Sequence, residues 1–376
     1  MHTKATRPWV VSGDAFGIKS WTTSDHAYLE YYADDDARGL LGAIATAGLL
    51  RTERWHSTIV TAVLGNLRQT PRNGFAPSSA GFAGMVDAAT FNPATGWRKQ
   101  YDSAGGAPNY SPHYECYIWA VYLWGYDRSG FQPLYDRAAA AITTMMEDYP
   151  SKWIATDNGI AMQRARMILP LAFLVRVNDT ALHRQWLTTM IDGFFTRRYC
   201  EPNGTWCAYR EELSHPGWGG ATGVPRSNAA YGTGEAPLNQ GNDDPVSDFL
   251  YTSNFALLGL HEAAAATANA TIRQAEDKLA DFMVRVQARS AERPELDGAW
   301  MRAFDYEKWE SWVSDVTNSA PPTSAPGPVH PPRATADRVC PRRTLPDRRG
   351  PPPLPRSTLA GPWLARRHPV VVVFMC

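Results

Sequence analysis

DDARGLLGAIATAGLL (residues 35–50) and ERWHSTIVTAVLGNLRQ (residues 53–69) decide the fold. Each stretch repeats apolar residues at three- and four-residue spacing, which marks a helix with one buried face. Two intervening residues leave the chain no room except to return antiparallel. The first stretch is richer in small and apolar residues, and the second carries more charge. An inner helix covered by an outer one requires that difference.

Outward from this pair the pattern recurs three times, between loops rich in Gly, Pro and Asn. Residues 112–127 pair with 131–148 across Ser129-Gly130, 157–177 with 180–198, and 245–268 with 271–290. Pro170, inside the fifth segment, is expected to kink it. A ninth helix is expected near Trp309. Two-residue alternation is confined to FAGMVDAATF (82–91) and short stretches near Trp97 and Trp206, which read as loop hairpins. The expectation is an all-α architecture of helical hairpins in two concentric layers.

The chain has 376 residues, 44% hydrophobic and 20% charged, which is enough for a large core. Its formal charge of zero hides an asymmetry. Residues 319–376 hold nine Arg against two Asp, with no Lys or Glu, so this segment is +7 and the remainder −7. A folded part short of basic residues argues against nucleic acid as its partner. No apolar run approaches bilayer length, so no membrane association is expected. The N-terminus lacks the apolar stretch of a secretory signal, which makes a cytoplasmic location the default expectation. Cys200 and Cys207 flank the turn EPNG and can bridge in an oxidising compartment; two free thiols are the simpler expectation.

Fourteen Pro among the 58 residues from 319 to 376 cannot bury enough apolar area to order the segment. This tail reads as disordered. It is either a polyproline ligand around PPPLP (351–355) or an out-of-frame reading of a GC-rich gene. The expected organisation is an extension over 1–27, a helical domain over 28–318 and the tail over 319–376.

Carboxylates and rings concentrate in the loops. YYADDDAR (31–38) opens a helix, and N-capping accounts for one or two of its three acids. Asp34 or Asp35 is left for function, with Arg38 one turn on to keep a carboxylate ionised. NYSPHYECYIWAVYLWGY (109–126) starts a helix at Pro112 and sets His113, Tyr114 and Glu115 in its first turn beside Asn109. Rings there suit the C–H faces of sugars, whereas Tyr117, Trp119, Tyr122 and Trp124 read as packing.

The long Gly-rich stretch from 199 to 244 contributes Glu211, Glu212 and Trp218 in YREELSHPGWGG, Tyr231 and Glu235 in SNAAYGTGEAPLNQ, and Asp243 and Asp244 in GNDDP. Arg164 and Arg166 in QRARM either lock the fold to an acid or bind an acidic sugar. ELDGAWMRAFDYEKWESW (295–312), with Asp297, Trp300, Arg302 and Asp305, reads as a cleft wall. No GxGxxG, GxxxxGK[ST], HExxH or CxxC occurs, so neither a metal nor a cofactor is expected.

YYADDDARGLLGAIATAGLL, SPHYECYIWAVYLWGYDRSGF, AYGTGEAP and ELDGAWMRAFDYEKWE resemble the six-hairpin glycosidase-like proteins, which fold as (α/α)6 toroids, over residues 28–312. The resemblance implies a glycan cleft at the loop end of the inner helices, with an oligo- or polysaccharide as substrate. Four hairpins leave the toroid incomplete relative to six.

The first functional expectation is glycoside hydrolysis by Asp35 as base or nucleophile and Glu235 as acid, each without an adjacent ion-pair partner. Asp34, Arg38, His113, Tyr114, Glu115, Arg164, Glu211, Glu212, Trp218, Tyr231 and Trp300 are expected to bind substrate. A lyase or epimerase using His113 or Tyr114 for proton removal is the alternative. An inactive glycan-binding or scaffold fragment is the third.

Overall fold

The computed structural model describes residues 33–76, 101–154, 159–210 and 245–316. Eight helices among them form four antiparallel hairpins: α1 (Ala33–Leu50) with α2 (His56–Gln69), α3 (Pro112–Ser129) with α4 (Gln132–Glu147), α5 (Gly159–Val177) with α6 (Ala181–Phe195), and α7 (Asn254–Thr267) with α8 (Ala270–Arg285). Short turns join the two helices of each hairpin. Local chemistry sets the turns: Thr180 and Asn269 cap α6 and α8 with their side-chain oxygens, and Gly130 ends α3 at φ 66°.

The first helices of the hairpins pack in a row, α1 on α3, α3 on α5 and α5 on α7, and the second helices lie outside them. Burial follows this division. Residues from Cys116 to Leu123 of α3 and from Ala165 to Val175 of α5 are buried on all sides. In α8 only Ile272, Ala275, Glu276, Leu279, Phe282 and Met283 are buried, a single stripe at helical spacing. The result is a partial (α/α) toroid. Among the described residues the row is not closed by packing of α7 on α1.

Because every hairpin is antiparallel, the four inner helices run parallel and their N-termini share one end. The connections between hairpins emerge at that end. Close packing inside the row depends on Gly259 of α7, where an added Cβ would sit 2.9 Å from two carbons of Ile168 in α5. At the opposite end Arg176 of α5 pairs with the buried Glu262 of α7, and His261 bonds Glu276 of α8 at 2.6 Å. The first pair joins two inner helices, and the second fastens an inner helix to its outer partner.

Three expectations are corrected. The seventh helix does not span 245–268: Val246–Asp248 is a strand (β3), Phe249–Ser253 a π-helical turn, and α7 starts at Asn254. The reason is sheet pairing, because β3 runs antiparallel to β4 (Met301–Asp305) with Val246 opposite Asp305. The ninth helix near Trp309 is instead the turn between β4 and β5 (Glu310–Val316). The two thiols expected free are joined: Cys200 and Cys207 face each other in β1 (Arg198–Cys200) and β2 (Cys207–Tyr209) and form a disulfide. The hairpin expected near Trp206 is present. α5 passes through Pro170 as one helix. Among the described residues no helix is long and apolar enough to cross a membrane. Residues 82–91, the stretch near Trp97 and the tail from 319 lie outside the described residues.

Candidate active site

The first turn of α1 divides its three acids by helical geometry. Asp34 and Asp35 lie four and three residues before Arg38, so both reach its guanidinium. Arg38 Nη2 donates to Asp34 Oδ2 at 2.9 Å and to Asp35 Oδ1. Asp36 turns the other way, where Asn66 of α2 donates to it at 3.4 Å. Asp35 was expected to lack an adjacent ion-pair partner; the structure gives it Arg38. That pairing sets the Arg38 guanidinium against one carboxylate oxygen of Asp35.

The neighbouring inner helix brings the imidazole. Ser111 and Pro112 start α3, and Gln163 of α5 completes the cap: its Oε1 accepts from the His113 amide at 2.8 Å, and its Nε2 donates to Ser111 Oγ at 3.0 Å. Arg166, fully buried on α5, donates to the His113 carbonyl at 2.9 Å and stands over the rings of Tyr117 and Phe255. The His113 backbone is therefore held from both sides by α5. Its ring packs edge-on to Tyr114, with centroids 4.6 Å apart, and Nε2 lies 3.9 Å from Asp34 Oδ2.

Glu115 points into the core behind these groups. Its Oε2 accepts from the Ala76 amide at 3.2 Å, while Oε1 has no hydrogen-bond partner among the described residues. Burial foremost raises its pKa well above the ordinary carboxyl range; the Ala76 amide opposes this, and the charge of Asp34 adds to it. Burial and the neighbouring Asp34 thus both favour the protonated form of this carboxyl. Tyr117, Trp119 and Tyr122 are buried packing residues, as expected.

Asp34, Asp35, Arg38, His113, Tyr114 and Glu115 thus converge at the N-terminal ends of α1 and α3. Two residues expected with them are committed elsewhere. Arg164 donates to Tyr149 Oη at 2.8 Å and to the Gly193 carbonyl at 3.1 Å, tying α5 to α6. Trp300 donates from its indole to the Met283 carbonyl at 2.6 Å and is fastened to α8. Glu211, Glu212, Trp218, Tyr231, Glu235, Asp243 and Asp244 lie outside the described residues. Sequence reasoning missed Gln163; the available signal was an amide on an otherwise apolar helix.

No grouping of three or more His, Cys, Asp or Glu suited to a metal occurs among the described residues. The groove along α1 and α2 lined by Leu40, Ala43, Thr46, Trp55 and Ile59 is apolar and has no titratable group to do chemistry.

No family model matches this chain, and no curated protein does. Solved structures similar to it include a D-mannose isomerase, with TM-score 0.46 and 11% identity over 78% of this chain and 68% of that one. A cellobiose 2-epimerase from Bacillus thermoamylovorans B4167 has TM-score 0.44 and 11% identity over 78% of this chain and 70% of that one.

Proposed function

We propose that the N-terminal end of the inner helices is a carbohydrate-processing site in which His113 and Asp34 move a proton on a bound sugar. The supporting observation is the 3.9 Å approach of His113 Nε2 to Asp34 Oδ2, with Asp34 itself bonded to Arg38. A neutral imidazole takes a proton from a carbon next to a carbonyl; the C–H electron pair becomes a C=C bond as the carbonyl π pair moves onto oxygen, and Asp34 stabilises the imidazolium. Returning the proton to the same carbon on its other face epimerises the sugar; returning it to the former carbonyl carbon, while the neighbouring hydroxyl proton passes to the enolate oxygen, isomerises it. Tyr114, packed on the imidazole, offers a ring face and a hydroxyl for the sugar.

A second reading, glycoside hydrolysis by Asp35 with Glu235, is supported by the place of Asp35 in the first turn of α1, ion-paired with Arg38 beside Asp34. Product masses separate the two. Incubation with a panel of neutral and uronic-acid sugars is expected to yield products of unchanged mass and altered identity, and His113→Gln to abolish them. Products heavier by one water would transfer the assignment to Asp35 and Glu235. Conversion of none of the sugars would overturn both.

A further inference from the structure

We infer that Tyr199 and Trp309 form a second sugar-binding surface, a rim platform for those units of an extended, uncharged glycan that lie away from the reacting one. Tyr199 of β1 is 37% exposed, and Trp309, in the turn between β4 and β5, is 36% exposed. Both are backed by buried rings. Tyr199 stacks on Tyr306 at 4.8 Å and 17°, and Trp309 packs on Trp206 at 5.4 Å and edge-on to Phe304 at 5.1 Å. Arg210 Nε donates to Tyr306 Oη at 3.1 Å, and the Cys200–Cys207 disulfide closes the hairpin that carries Tyr199 and Trp206. The two part-exposed rings are therefore held in place before any ligand arrives.

The backbone at Trp309 adds to this. It adopts φ 55°, in the left-handed region that hairpin turns normally reserve for Gly or Asn. The turn is built by Asp305, whose Oδ1 accepts from the amides of Glu307 and Lys308 at 3.0 and 2.8 Å. A large ring is thus carried at a position where the turn itself favours a small residue.

Aromatic faces with polar surroundings suit sugars, whose axial C–H groups pack on rings while their hydroxyls bond nearby polar groups. Exposed Arg198, Glu307 and Lys308 carry both signs, which favours an uncharged ligand. A second copy of the chain would need roughly 800 Å² of contact on each partner, and two part-exposed rings among charges do not supply it. The platform also lies at the right end of the molecule. β1 leaves the C-terminus of α6 and β4 follows α8, so both belong to the end that holds Asp34 and His113. The inference rests on the proposed sugar-processing reading for its ligand class.

The test is native gel electrophoresis in gels containing hydroxyethylcellulose or galactomannan, with polygalacturonate as the charged control, together with conversion of mono- and disaccharides. Retardation by a neutral polymer is expected, weakened roughly fivefold or more in Trp309→Ala and in Tyr199→Ala, and kept in Trp309→Phe. Conversion of small sugars is expected to be unchanged in these variants, and His113→Gln should still be retarded. Circular dichroism checks that each variant folds. Retardation that is absent in the wild type, or equal in wild type and both alanine variants, overturns the platform, whatever His113→Gln does to conversion. A dimer in solution that Trp309→Ala dissociates also overturns it. Retardation lost in the alanine variants of a protein that converts no sugar leaves the platform standing and removes the active-site reading.

Discussion

His113 presents Nε2 to Asp34 Oδ2 at 3.9 Å, across the junction of two parallel helices that begin 79 residues apart in the chain. Neither residue reaches the other without the packing of α1 on α3. Asp34→Asn keeps the shape but removes the charge that supports an imidazolium. The expected outcome is a loss of turnover of about 100-fold or more. Stability should change by only about 1 kcal/mol, because Arg38 retains Asp35. Kinetics and thermal melting of the same preparation check both parts; a large fall in melting temperature with little kinetic change would make Asp34 structural.

Glu115→Gln tests the raised pKa of the buried acid. Unfolded, this carboxyl loses its proton near 4.5; folded, burial holds the proton to higher pH. The native state therefore binds more protons across that window, and wild-type stability declines as pH rises through it. The glutamine variant lacks this contribution. Its stability relative to wild type should rise with pH from about 4.5 upward, read as the slope of melting temperature against pH. Parallel slopes would mean that Glu115 ionises normally.

At the far end His261 titrates in the opposite chemical sense but with the same direction of stability. The hydrogen bond to Glu276 is the main cause of its raised pKa, against partial burial. Its contribution is complete below the unfolded value of 6.5 and is lost as pH rises through the higher folded value. His261→Gln should flatten the decline above 6.5 and leave the part near 4.5 intact, measured in the same pH series.

Gly259→Ala probes the closeness of the inner row. The added methyl meets Ile168 at 2.9 Å and the Leu169 amide nitrogen at 3.2 Å, so α5 and α7 must separate. Destabilisation of about 1–3 kcal/mol is expected in denaturant titration. A neutral result would show that the two helices have room to spare.

The sheet of β3, β4 and β5 and the site itself show where local reading stops. Residues 245–253 carry enough apolar residues to continue a helical pattern, and only the pairing of Val246 with Asp305 turns three of them into a strand. That pairing spans 59 residues of sequence, so no local window contains it. The Asp34–Arg38 pair was legible because four residues make one helical turn. The cap that Gln163 gives α3 was not, since nothing near Gln163 in sequence indicates which helix it faces.

The sequence by itself determined four helical hairpins and which helix of each lies inside, because periodicity and turn chemistry act over a few residues. It also marked the acids at the start of α1 and the imidazole at the start of α3. Tertiary structure alone decided that these two starts meet and that Arg164 serves α6 instead. It also decided that Tyr199 and Trp309 share one aromatic cluster through Trp206. Each of those facts depends on which helices and hairpins become neighbours, and that choice is made by burial of whole faces rather than by any single stretch of chain.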